Sequence, residues 1–99
     1  MFVVVSRFDV RPGEEDAFLA LHEAADIGSP PGTDGLISRE LLTDAENPSS
    51  FMTLARYRGR EAAEMHSHAV EDGDWFQRLV SLSQRAPHVA LYRMAWKDA

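Results

Sequence analysis

Two histidines lie where an imidazole could act as a general base. His22 follows Phe18 by one turn in a segment whose apolar residues recur at helical spacing, and His66 lies in a second helical segment. Because imidazole titrates near neutral pH, either side chain could take a proton from a bound substrate. His66 is the first candidate for the base and His22 the second. The alternative for both is a structural or solvent-facing histidine.

The sequence predicts no cofactor. His66 and His68 are two residues apart, so on a helix they point in different directions and do not form a chelating pair. The chain has no cysteine, and no glycine-rich phosphate loop follows a strand. We therefore expect activity without metal, flavin or nicotinamide.

Composition predicts one globular domain over residues 1–99. The chain is 44% hydrophobic and 26% charged, and its formal net charge of −6 argues against a nucleic-acid or anionic-membrane partner. No stretch approaches the roughly 20 apolar residues that a transmembrane helix needs. The absence of cysteine fits a reducing cytoplasm.

Alternation of apolar residues with period two predicts strands at residues 2–10, 36–43, 50–57 and 88–96. Helical periodicity predicts a helix after residues 14–16, a second at 60–69 and a third around residues 75–82. The second and third helices follow each other between the third and fourth strands, so the order is β-α-β-β-α-β with an interrupted second helical segment. This order predicts an α+β, ferredoxin-like fold with its helices on one face of an antiparallel sheet.

Both faces of this sheet are predicted to need cover. One face carries alternate apolar residues on three strands: Val3, Val5, Met52, Leu54, Val89 and Leu91. The helices suffice for one face only, so we expect a homodimer in which two sheets pack together. Arg7, Arg56 and Arg93 follow the apolar pairs on this face and would need carboxylates such as Glu40 or Asp44, so they are predicted to pair the subunits.

The helix-facing side is predicted to hold the site. Its residues on the first strand are Phe2, Val4, Ser6 and Phe8, and its predicted partners are Phe51, Thr53, Ala55, Tyr57, Ala90, Tyr92, Met94 and Trp96. The middle of this face is small or polar and could leave an aromatic-lined cavity for a flat apolar ligand. The alternative is that larger helix residues fill the space. Trp75 and Phe76 could serve as core, as substrate platform or as both.

Four segments of the chain resemble the antibiotic biosynthesis monooxygenase family. They are Val10–Glu15, Gly35–Leu42, Asp44–Phe51 and Tyr57–His66. The resemblance implies a dimeric α+β barrel and a cofactor-independent monooxygenase that uses O2 on a quinol or phenolic polyketide-type substrate. It also matches His66 to the family's histidine in the second helix.

The resemblance leaves two further functions open. A haem-degrading branch uses an Asn, a Trp and a His, which fall here on Ser6, His66 and approximately Phe76, so haem degradation is disfavoured. A non-catalytic, ligand-binding or regulatory dimer is the main alternative. For the enzyme, His66 and His22 are the predicted catalytic residues, and the predicted substrate-binding residues are Ser6, Phe18, Tyr57, Trp75, Phe76 and Tyr92.

Overall fold

The computed structural model describes residues 1–25, 35–65 and 74–97. Its elements, in order, are β1 (Phe2–Asp9), α1 (Glu15–Ala25), β2 (Leu36–Thr43), β3 (Ser50–Tyr57), a helix α2 whose described residues are 60–65, α3 (Asp74–Ser81) and β4 (His88–Arg93). The α+β plan is confirmed, and β2 and β3 have the predicted bounds.

The four strands form one antiparallel sheet in the order β2-β3-β1-β4. Because β1 and β2 both run opposite to β3, they are parallel to each other, and α1 connects them as a crossover helix. Such a helix must run back along the sheet, so α1 runs in the same general direction as β3.

The helix-facing side of the sheet consists of four rows of side chains that cross the strands. Strand register gives the rows as Thr43–Phe51–Phe8, then Leu41–Thr53–Ser6–Val89, then Arg39–Ala55–Val4–Leu91, and last Leu36–Tyr57–Phe2–Arg93. The predicted faces of β1 and β3 are therefore confirmed.

Two apolar clusters hold the helices on this side. At the first row, Phe8, Val10 and Phe51 pack with Phe18 of α1 and with Phe76 and Leu79 of α3. Towards the last row, Val4, Ala55 and Tyr57 pack with Ala63 of α2. The helices therefore cover one face of the sheet, as predicted.

The opposite side, called the open face below, carries side chains that none of these helix contacts covers. Its apolar residues are Val3, Val5, Leu42, Met52, Leu54, Ala90 and Tyr92. Leu42 is 46% exposed and Tyr92 is 51% exposed.

The predicted facing of β4 is wrong. Val89 pairs with Ser6 and Leu91 with Val4, so both face the helices, whereas Ala90 and Tyr92 are on the open face. Apolar residues occupy both faces of β4, so alternation alone does not decide which set faces the helices; the register with β1 decides it.

β4 is also shorter than predicted. Arg93 pairs with Phe2, the first residue of β1, and the Met94 amide donates to the Met1 carbonyl at 2.9 Å. Beyond that point β1 offers no further partner, so Met94 and Trp96 follow the strand instead of belonging to it. Trp96 is highly exposed. Within the described residues, the helices are all too short or too polar to cross a membrane.

Candidate functional site

The second row of the helix-facing side places polar groups in the middle of an apolar surface. Ser6 is buried and pairs with Thr53 on β3. In the next row, the residue that β3 contributes is Ala55, whose side chain is a single methyl group. The register therefore places small and polar side chains at the centre of this side. The cavity expected above them stays a prediction.

From the direction of α1 and the rise per residue, we infer that His22 lies over the same row. Phe18 stacks on Phe51, with ring centroids 4.7 Å apart, which fixes α1 above the first row. His22 is one turn further along α1, about 6 Å at 1.5 Å per residue. Thr53 is two residues beyond Phe51 in the same direction, about 7 Å along the strand. His22 is only 6% exposed, so its imidazole faces the protein interior rather than the solvent.

Tyr57 is at the far end of this side and is fully buried. Burial raises the pKa of the Tyr57 phenol to about 12, and the nearby Arg39 guanidinium opposes this rise. The phenol is therefore protonated throughout the physiological range. It can donate a hydrogen bond but does not act as a base there.

Arg39 is a residue for which the sequence suggested no role. It pairs with Ala55, so Tyr57 is its diagonal neighbour on the same face, a distance that a long side chain can reach. Arg39 is half-buried, unlike a typical surface arginine. The sequence contained one signal for its position. Residues two apart on a strand lie on the same face, so Arg39 shares the face of Leu41, which pairs with Thr53.

Phe18 and Phe76 belong to the packed aromatic cluster. The ring of Phe8 is 5.2 Å from that of Phe18 and 6.2 Å from that of Phe76, in tilted and edge-on arrangements. Phe18 is completely buried. These contacts place both rings in the core next to the polar row. Contact of Phe18 and Phe76 with a substrate, which the sequence predicted, stays a prediction.

The remaining predicted residues have different outcomes. Tyr92 is on the open face, where its backbone pairs with Val3, so its predicted place on the helix-facing side is wrong. The backbone of Trp75 is in α3, but its side chain is outside the described part of the structure. His66 and His68 are outside the described residues, and the role of His66 stays a prediction.

The predicted arginine set divides between the two faces. Arg56 is on the open face and makes a salt bridge with Glu40, one of the two carboxylates predicted for it. The hydrogen bond from Arg56 lowers the pKa of the Glu40 carboxyl. Arg7 is also on the open face, but Arg93 is in the last row of the helix-facing side, so its predicted place on the open face is wrong.

The described residues near the polar row offer a base, a neutral donor and a cation. The His22 imidazole can accept a proton, the Ser6 hydroxyl can donate a hydrogen bond, and Arg39, one row away, can stabilise an oxyanion. Tyr57 lies two rows from Thr53, about 13 Å along β3, and is a donor at the end of this side. Among the described residues, no buried side-chain nitrogen or oxygen lacks a hydrogen-bond partner. A ligand in this region would therefore exchange partners with groups that are already satisfied.

Solved structures share this fold at low sequence identity. SnoaB, a cofactor-independent oxygenase from Streptomyces nogalater, is 20% identical with a TM-score of 0.66, covering 97% of this chain and 94% of its own. A Mycobacterium tuberculosis protein, Rv0793, is 23% identical with a TM-score of 0.72, covering 99% and 98%. A conserved protein from Methanosarcina mazei is 19% identical with a TM-score of 0.74, covering 93% and 90%. At these identities the likeness shows the fold alone.

Sequence comparison identifies the family. Comparison with curated proteins gave no significant match. The family profile described as antibiotic biosynthesis monooxygenase matches residues 1–89, which include β1 to β3, all three helices and the start of β4. The chain therefore belongs to the antibiotic biosynthesis monooxygenase family.

Proposed function

We propose that the protein is a cofactor-independent monooxygenase of quinols or phenolic, polyketide-type aromatic compounds. The observation that carries this proposal is the polar row of Ser6 and Thr53, set between two apolar clusters on the side of the sheet that the helices cover. His22 of α1 is buried and is inferred to lie over this row. A flat aromatic ring can pack against the small apolar surface while its hydroxyl meets the polar groups.

The reaction needs an anion, and the described residues offer groups that favour one. A histidine takes the phenolic proton, with His66 the first candidate and His22 the second. Arg39, one row from Ser6 and Thr53, stabilises the phenolate by charge. Its partial burial strengthens this interaction, because the local dielectric constant is lower than that of water.

The oxidation balances without an added reductant. The electron-rich ring carbon of the anion forms a bond to O2, giving a peroxide that a proton neutralises. The attacked carbon carries a hydrogen, and loss of this hydrogen with the outer hydroxyl group as water leaves a carbonyl at that carbon. One oxygen atom enters the product and the other leaves as water, and the substrate supplies all four electrons that O2 accepts. SnoaB, a cofactor-independent oxygenase, shares this fold, which supports the same type of chemistry here.

We also propose that the protein is a homodimer that buries its open face. Seven apolar side chains there are covered by no helix of the described part of the chain. The Arg56–Glu40 salt bridge lies among them and is already neutral as a pair, so a partner sheet could cover it without isolating a charge. A second copy of the same sheet is complementary in shape and in apolar character.

Oxygen consumption tests the proposed reaction. The protein is treated with chelator, freed of small molecules and mixed with an anthrone or a naphthohydroquinone in an oxygen electrode. We expect uptake above the spontaneous rate, with one atom from isotopically labelled O2 in the product. A strict need for flavin or for one restored metal would contradict the mechanism. Tight ligand binding without any uptake would support the non-catalytic alternative instead.

A further inference from the structure

We infer that a second ligand site, for an aromatic carboxylate, lies at the corner of the helix-facing side where β4 meets α2. Phe2, Arg60, Leu91 and Arg93 line a cavity of about 230 Å³ there. Ser6 is four residues from Phe2, so about 13 Å of strand separates this corner cavity from the polar row. The inference is independent of the proposed oxygenation.

The floor of the corner cavity is apolar. Phe2 and Leu91 are on the neighbouring strands β1 and β4, and both face the helices. Both also pack at the edge of the cluster formed by Val4 and Tyr57, so the floor rests on fixed core residues. A flat aromatic ring can replace water on this surface at a gain proportional to the apolar area that it covers.

Two guanidinium groups flank this floor. Arg93 pairs with Phe2 at the edge of the sheet, and within the described residues no carboxylate forms a salt bridge with it. Arg60 is held on α2 by Glu64, with Nε 2.7 Å from Oε1. Arg60 is therefore oriented but partly neutralised, whereas no carboxylate of the described residues neutralises Arg93.

This combination selects an anion with an apolar body. A guanidinium binds a carboxylate through two parallel hydrogen bonds, a geometry that a neutral amide reproduces only weakly. The chain carries a net charge of −6, so an anion gains attraction locally at this corner and not from the protein as a whole. The cavity is smaller than a drug-sized pocket, which fits a ligand of one or two rings.

Binding of naphthoate to the full-length protein tests the site. Titration is followed by calorimetry and by backbone amide shifts in the NMR spectrum. We expect shifts centred on Phe2, Leu91 and Arg93. Arg93→Met should weaken binding about tenfold to a hundredfold, since a hydrogen bond to a charged group is lost. Arg60→Met should weaken it less, because Glu64 already shares that charge.

The controls separate charge recognition from unspecific adsorption. Arg11→Met removes an exposed arginine outside this cavity and should leave the affinity unchanged. Naphthamide, which has the same rings without the charge, should bind at least tenfold more weakly than naphthoate. Equal affinity for naphthoate and naphthamide would overturn the inference. So would unchanged binding by Arg93→Met, or shifts centred on the polar row or the open face.

Discussion

At the scale of single residues, burial decides what each polar group of the candidate site can do. The Tyr57 phenol is completely covered, and the resulting pKa of about 12 keeps its proton in place. His22 is nearly as well covered, and its imidazole carries a nitrogen that can accept a proton. Burial therefore keeps Tyr57 as a donor, and a histidine is the group that can accept a proton.

Tyr57 should make the free energy of unfolding depend on alkaline pH. Its pKa is about 10 when the chain is unfolded and about 12 when folded, so between these values the folded state holds a proton that the unfolded state has lost. Its contribution to stability is complete below about pH 10 and is lost as the pH rises through about 12. Denaturant titrations should show this decline, and Tyr57→Phe should reduce it. A decline of the same slope in Tyr57→Phe would contradict the burial of the phenol.

Replacing each of the two histidines should affect turnover differently. If His66 is the base, His66→Ala should lower the turnover of a quinol about a hundredfold to ten-thousandfold without unfolding the protein. His22→Ala is the matched comparison, and it should alter substrate affinity more than turnover. Steady-state rates measured across the pH range decide the assignment. Full activity and an unchanged pH profile in His66→Ala would move the role to His22 or to unaided ionisation of the substrate.

At the scale of elements, the sequence predicted most strands well but could not orient β4. β1 was oriented correctly because its buried set is distinct: Phe8 and Val4 alternate with Arg7, a charged residue that the interior would exclude. Between its end residues, β4 has no charged residue that would separate its two faces in this way, because Val89 and Leu91 on one face and Ala90 and Tyr92 on the other are all apolar or aromatic. Its orientation depends on long-range pairing with β1, which alternation within one strand does not encode.

The candidate site was predictable only in part for the same reason. Ser6 could be placed from the alternation of β1, and His22 from its helical spacing to Phe18. Arg39 could not be recognised, because one arginine in a strand predicts a solvent-facing position unless the pairing partner is known. The register of β2 with β3, which has a bulge between Leu36 and Ser38, brings Arg39 beside Tyr57.

The start of α1 should be stabilised by one carboxylate. Glu15 accepts a hydrogen bond from the Gly13 amide at 2.8 Å and another from the Ser49 hydroxyl at 2.7 Å, which ties the helix to the β2–β3 hairpin. The bond from Ser49 is the main cause of a lowered Glu15 pKa. Its contribution is therefore present above the ordinary carboxyl pKa and is lost as the pH falls through the lowered value.

Glu15→Gln should accordingly lower the urea midpoint at pH 7 and lower it less in acid. Glu14→Gln removes the neighbouring charge without these two contacts and should change the midpoint less at either pH. Equal midpoints for Glu15→Gln and the unaltered protein at pH 7 would show that the hydrogen bonds of Glu15 to Gly13 and Ser49 do not stabilise the fold.

At the scale of the whole molecule, the open face should determine the oligomeric state. Leu54 is near the centre of this face, between Val5 on β1 and Glu40 on β2. Leu54→Asp would bury an unpaired carboxylate in the proposed interface and should convert the dimer to a monomer with reduced stability. Light scattering during gel filtration gives the mass directly.

Met65→Asp provides the matched control. Met65 is an exposed apolar residue of α2, on the opposite side of the sheet, so the same substitution there should leave the dimer intact. If the unaltered protein were a folded monomer at micromolar concentration, the proposed interface would be wrong. A stable dimer of Leu54→Asp would place the interface elsewhere.

The central claim is that the polar row beneath the helices binds its aromatic ligand as an anion. The ionisation of bound para-nitrophenol measures this directly, because its phenolate has a distinct absorbance and does not consume O2. Arg93→Met is used as the background, so that the corner cavity cannot produce the signal, and Arg11→Met serves as the charge control. We expect the bound phenol to have a lower apparent pKa than the free phenol, and Arg39→Met to restore about the free value. An identical pKa for bound and free phenol, or a lowered pKa that survives Arg39→Met, would contradict the claim.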